Sequence, residues 1–227
     1  MDLKYFELAH KLNESYNQLL LGNEVHFRAS LNSISMISIS NDRPELGIKC
    51  SASDYGYSPN LKNIIVKDIN KVKSLKKPRR STPEKKLQAW IIKYALNNNH
   101  SLPFDPGIKF IASELAIRSK FGEKIVTDIL GYNEADKQLY IIELKSDRLL
   151  KRLIQQVDDF ETVINENSLF FSQLLSIHGF ATQVDFSNNI RKTIIWPYEK
   201  TSPREELKRD GIQEFTYQEH FTFLEHR

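Results

Sequence analysis

Residues 124–145 read KIVTDILGYNEADKQLYIIELK: two apolar runs rich in Ile, Val, Leu and Tyr, with the polar loop YNEADKQ between them. That pattern predicts a β-hairpin. Three charges interrupt the apolar runs, namely Asp128, Glu143 and Lys145. Charges in such surroundings need partners or a task. Side chains alternate faces along a strand, so Glu143 and Lys145 point the same way. A hairpin tip between Ala135 and Asp136 sets Asp128 directly opposite Glu143. Two carboxylates and an ammonium then share one side of the hairpin. Paired carboxylates repel unless a proton or a cation lies between them, and Mg²⁺ takes hard oxygen ligands. The competing reading is an ion-pair cluster that serves only the fold.

The totals bound what surrounds the hairpin. The chain has 227 residues, 40% of them apolar and 27% charged, with a formal net charge of +3. That is enough for one large domain or a core domain with a small companion. The sequence pI near 8.8 permits nucleic-acid binding without requiring it. The single cysteine, Cys50, excludes an internal disulfide framework and a cysteine-rich zinc site. No apolar run is long enough to span a membrane, and MDLKYFELAHKL lacks a signal-peptide core, so a cytoplasmic setting is expected.

On the N-terminal side, residues 3–20 carry helical spacing, and EVHFRASLNSISMISIS alternates as short strands. GIKCSAS reads as a further strand and SDYGYSPN as a loop, while NLKNIIVKDINKV fits a strand or a short helix. Residues 1–75 are read as a small α+β accessory module. Residues 76–81 form a basic linker with Lys76, Lys77, Arg79 and Arg80, either a solvated tether or a strap that contacts phosphates. Residues 82–97 predict a helix with Pro83 at its first position and a buried stripe of Leu87, Trp90, Ile91, Tyr94 and Ala95. Glu84 falls on that stripe. It is either a site acid or the closing member of a capping box, Ser81-x-x-Glu84. The strand IKFIASELAIR then places Glu114 on the face of Phe110 and Ala112.

Beyond the hairpin, residues 148–164 predict a helix buried through Leu149, Leu153, Val157, Phe160 and Ile164. Its phase turns Gln155 outward and brings Gln156 toward the charged cluster; a plain surface-edge amide is the alternative role. LFFSQLLSIHGF reads as helix, RKTIIWPYE as strand, SPREELKRDG as a capped helix, and IQEFTYQEHFTFLE as one or two strands. Strands joined through helices imply partly parallel pairing. The expected fold is α/β, a mixed sheet flanked by helices over residues 82–227, with the small N-terminal module added.

These elements resemble the PD-(D/E)xK, or restriction-endonuclease-like, nuclease superfamily. Its core is α-β-β-β-α-β, with an Asp on the second strand and Glu-x-Lys on the third, matched here by Asp128 and Glu143-Leu144-Lys145. Thr127 stands where a proline often precedes that Asp. PEKKLQAWI and the Gln156 to Phe160 segment are similar to the NucS-type and Shedu-type branch, with Phe160 where Tyr is more usual. The resemblance implies hydrolysis of phosphodiester bonds in DNA, RNA being the other candidate, with Mg²⁺ as cofactor and Mn²⁺ as its substitute. It implies Asp128, Glu143 and the Leu144 carbonyl as metal ligands, completed by Glu84 or, failing that, Glu114. Lys145 then orients or deprotonates water or stabilises charge, and Gln156 binds the water or a phosphate oxygen. The expected setting is DNA repair, restriction or antiphage defence, as a homodimer or within a larger assembly. The alternative is a non-cleaving nucleic-acid-binding or assembly subunit on the same fold, completed by a partner.

Overall fold

In a computed structural model of the protein, residues 3–19, 25–40, 46–58, 60–75, 82–145, 150–180, 186–198, 211–218 and 223–226 are described. The chain is α/β. Helix α1 (Lys4–Leu19) precedes a three-stranded antiparallel sheet of β1 (Val25–Ser30), β2 (Ser33–Ser38) and β3 (Gly47–Cys50). Two helices follow, α2 (Ala52–Tyr57) and α3 (Leu61–Ser74). The loop expected at SDYGYSPN is therefore a short helix. Ser51 caps it by accepting from the Asp54 amide, and a serine cap outweighs the turn-like Gly and Tyr that follow. The strand-or-helix stretch resolves as α3, because Ile65, Ile69 and Val72 recur on one helical face and bury together.

The larger unit begins with α4 (Pro83–Asn97) and continues through β4 (Ile108–Arg118), β5 (Lys124–Asn133), β6 (Gln138–Leu144), α5 (Leu150–Glu166), α6 (Ser168–Ile177), β7 (Ile190–Pro197), β8 (Ile212–Tyr217) and β9 (Phe223–His226). Its six strands lie in sequence order. β6, β7 and β8 pair in parallel and the remaining pairs are antiparallel. The α5–α6 crossover supplies the length that the parallel β6–β7 pair requires. The helix expected at SPREELKRDG and Leu149 lie outside the described residues.

Helix α4 covers one face of this sheet, burying Leu87, Ile91 and Ala95 against Ile108, Ile129 and Ile142. Helices α5 and α6 cover the other, where Val157, Phe160 and Phe171 meet Leu130, Leu139 and Ile141. The buried face of α4 is turned from the expected stripe: Gln88, Ala89 and Ile92 are buried, whereas Trp90 and Tyr94 are half-buried, their rings tilted against each other with centroids 5.6 Å apart. Gly131 on β5 allows a close approach, since a Cβ there would stand 2.6 Å from an Ile108 methyl. The N-terminal elements dock on the same sheet. Phe6 of α1 meets Phe170 of α6 edge-on, with ring centroids 5.6 Å apart, and Arg28 of β1 donates to Ser113 Oγ of β4 at 3.1 Å.

Candidate functional site

The β5–β6 hairpin has the register expected from its sequence: Asn133 faces Gln138, and the pairs continue to Ile129 and Ile142. There the β5–β6 ladder stops. β5 runs on beside β4 as far as Lys124, and β6 runs on beside β7 as far as Leu144. The next opposed pair is Asp128 and Glu143, and their side chains bridge the two strands. The Leu144 amide donates to Asp128 Oδ2 at 2.8 Å, and the Asp128 amide donates to Glu143 Oε1 at 3.3 Å. Each carboxylate thus satisfies a backbone donor that the interrupted ladder leaves over.

Two further predicted residues reach Glu143. Lys145 stays in line with β7 through its amide, which donates to the Ile195 carbonyl at 2.9 Å, and its Nζ donates to Glu143 Oε2 at 3.4 Å. Gln156 on α5 donates through Nε2 to Glu143 Oε2 at 2.7 Å and to the Val126 carbonyl at 3.2 Å. Gln155 faces outward and donates to Asp159 at 2.7 Å, as helical phase requires.

A third acid stands across the other edge of β5. Ser113 pairs with Ile129 and Leu115 with Thr127, so Glu114 lies opposite Asp128. Glu114 adopts φ 50°, a left-handed conformation unusual for glutamate. The expectation that it shares a face with both Phe110 and Ala112 fails. A register shift between Phe110 and Ala112 sends Phe110 to the α4 core and Ala112 to the α5–α6 core. Glu114 is held instead by Lys85 Nζ of α4. That ammonium also donates to Gln88 Oε1 at 3.1 Å, and Gln88 Nε2 donates to the Asp128 carbonyl at 2.8 Å.

Lys85 and Gln88 reach this cluster although the sequence reading gives neither a role, Gln88 entering it only as part of the PEKKLQAWI resemblance. Gln88 is 1% exposed, an amide inside an otherwise apolar stripe, and its place between Glu84 and Ile91 on one helical face was the available signal. Glu84 is half-buried in the first turn, and its charge is felt at Tyr217 of β8. The cap of α4 is Thr82, which accepts from the Lys85 amide; Ser81, and with it the expected Ser81–Glu84 capping box, lies outside the described residues. The basic residues Lys76, Lys77, Arg79 and Arg80 also lie outside them.

The electrostatics describe a pair that resists ionisation. Glu143 is 0% exposed, and burial pushes its carboxyl well above the usual range, with the charge of Asp128 adding to the shift and Lys145 opposing it. Burial raises Asp128 too, against the Leu144 hydrogen bond and the Lys145 charge. Glu114 moves the other way: burial acts to raise it, but the bond and charge of Lys85, joined by Arg28, carry it below the usual range.

The donor set fits a hard divalent cation. Two crowded carboxylates and the Leu144 carbonyl would offer it oxygen atoms, and a cation would relieve the cost of ionising both acids. Among the described residues, no three His, Cys, Asp or Glu side chains already surround one point at metal-ligand distance. Two carboxylates, a carbonyl and several waters make up the shell that Mg²⁺ ordinarily keeps.

Comparison of the chain with models of known families, with curated proteins and with solved structures finds no match. Among the described residues no helix is long and apolar enough to cross a membrane.

Proposed function

We propose that this chain is a metal-dependent nuclease that hydrolyses phosphodiester bonds in DNA, an endonuclease of repair, restriction or phage defence. One observation carries the reading: three acids, Glu114, Asp128 and Glu143, stand at opposed positions across three adjacent strands, with Lys145 one residue past the end of the last of them. Asp128, Glu143 and the Leu144 carbonyl would hold Mg²⁺, or Mn²⁺ in its place, with Glu114 or Glu84 as the further acid. When bound, the ion supplies a Lewis acid and a water of lowered pKa. The chain's own groups do the rest. Gln156 fixes the orientation of Glu143, and Gln88 fixes the backbone at Asp128. Lys145 offsets part of the carboxylate charge and presents an ammonium to a phosphate oxygen or to the attacking water.

A second reading is favoured by one feature: both carboxylates already accept backbone amides, which is a structural task. On that reading the chain binds nucleic acid, or completes an assembly, without cutting. Plasmid and single-stranded DNA incubated with Mg²⁺, Mn²⁺ or EDTA separate the two. The nuclease reading expects metal-dependent cutting that is lost in Asp128→Asn, Glu143→Gln and Lys145→Ala while the melting transition survives. Full activity in any of the three overturns it, and tight binding without cutting selects the second reading.

A further inference from the structure

The turn between β4 and β5 carries the most exposed large apolar side chain among the described residues, Phe121, at 81%. A single apolar side chain on a surface needs no explanation; the place and the rigidity of this one do. The register puts the turn at the same end of the sheet as the acids. Beyond Asp128 the β4–β5 pairs continue as Thr127 with Leu115, Val126 with Ala116 and Ile125 with Ile117, and end at Lys124 with Arg118. β6 does not pair with β5 along this stretch, so the two strands form an arm leading away from the carboxylate pair. Burial alternates along the arm: Leu115, Ile117 and Thr127 are buried, Ala116 and Val126 half-buried, Arg118 and Lys124 exposed. Strand alternation sets Val126 and Lys124 on the side of Asp128. One side of the arm thus runs from that acid, over Ala116 and Val126, to two cations. At 3.4 Å per residue, Lys124 stands roughly 14 Å along the strand from Asp128.

The turn holds its ring in place. The Ser119 amide donates to the Glu123 carbonyl and the Gly122 amide to the Ser119 carbonyl, each at 2.9 Å, and Gly122 supplies the φ of 83°. The Arg118 guanidinium donates to the Gly122 carbonyl at 2.9 Å, and its fork carries further N–H donors. Lys120 ties the turn to α5: its amide and its ammonium meet Glu166 at 3.4 and 3.2 Å, with the ammonium 5.2 Å from the centre of the Phe121 ring.

We infer that this arm is a track for the substrate strand beside the cleavage site, with Arg118 and Lys124 on its phosphates and Phe121 stacked on an unpaired base. The inference rests on the nucleic-acid reading of the proposed function and narrows it to DNA with unpaired bases next to the cut. In an intact duplex the neighbouring bases cover each base face, and opening one costs unstacking energy. A single strand offers that face freely, and an aromatic ring stacks on any base. Charge favours the same partner: Glu166 offsets Lys120, and Arg118 with Lys124 outweighs Glu123, the one acid of the turn. A protein partner would need a wider apolar patch than one ring set among charges.

The test uses the full chain carrying Asp128→Asn, so that nothing is cut, and follows the anisotropy of a labelled single-stranded oligonucleotide and of the same sequence as a blunt duplex. Thermal melting checks that each variant folds. The single strand should bind more tightly than the duplex. Phe121→Ala should weaken single-strand binding about 10-fold and change duplex binding by less than about twofold, and Phe121→Trp should keep the parent's affinity. Arg118→Ala and Lys124→Ala should weaken both DNAs, each lowering the single-strand salt slope by about 0.7. A loss below about twofold in Phe121→Ala, or an equal loss on the two DNAs, overturns the track. Cutting by the chain with Asp128 intact is scored separately. A chain that cuts but binds single strands equally well without the Phe121 ring keeps the nuclease reading and loses the track. A chain that never cuts yet shows the Phe121 effect loses the nuclease reading alone, and one that binds neither DNA loses both.

Discussion

Asp128 performs a hydrogen-bonding task and an electrostatic one, and asparagine separates them. Asp128→Asn keeps an oxygen to accept from the Leu144 amide but removes a charge that burial disfavours. In metal-free buffer at neutral pH the variant should therefore melt higher than the parent, by about 2–4 °C for each 1 kcal/mol of relief. The sign of the pH dependence follows from linkage. Both carboxyls of the pair are raised in the folded state, so the parent's stability from them is full below the unfolded carboxylate range, about pH 4. It is lost as pH rises through the raised folded values. The melting gap between variant and parent should thus vanish near pH 4 and widen toward pH 7, and a gap that narrows over that window contradicts the assignment. The alternation of Asp128, Glu143 and Lys145 was legible in the sequence, because strand parity and a symmetric tip fix who faces whom. The conformation of Glu114 was not, since no residue type in SELAI announces a positive φ.

Among the elements, α5 gives the sharpest contrast. Gln155 and Gln156 are chemically identical neighbours, yet one touches Asp159 and the other Glu143. Under the proposed function, Gln156→Ala should cut cleavage about 10–100-fold, the usual cost of losing a group that orients a ligand. Gln155→Ala should leave the rate within about twofold. Equal effects would place Gln156 among surface amides. The phase of α5 could be read because its apolar stripe is unambiguous. That of α4 could not, because Trp90 and Tyr94 look like core residues but rest half-buried at the sheet edge, where Trp90 meets Phe223 with centroids 5.7 Å apart. Phe223 belongs to β9, the last strand of the chain, and so distant a neighbour is beyond what a local pattern encodes.

For the whole molecule, substrate binding and the N-terminal unit come into play. Phe6 and Arg28 attach that unit to the larger one, through Phe170 on α6 and through Ser113 on the strand that carries Glu114. Sequence patterning foresaw the unit's α+β content but not this docking, which depends on tertiary partners. The basic quartet Lys76, Lys77, Arg79 and Arg80 joins the two units along the chain. If it straps nucleic acid, replacing all four by alanine should flatten the dependence of log affinity on log salt, by about 0.9 for each duplex phosphate that is no longer neutralised. An unchanged slope in a filter-binding or anisotropy series makes the segment a tether.

The most direct measurement of the central claim is an anomalous difference map from a crystal of the protein soaked in Mn²⁺. The account predicts a peak at ligand distance from the Asp128 and Glu143 carboxylates and the Leu144 carbonyl, abolished in Asp128→Asn. A map with no density at that place, under conditions in which the protein cuts DNA, would contradict it.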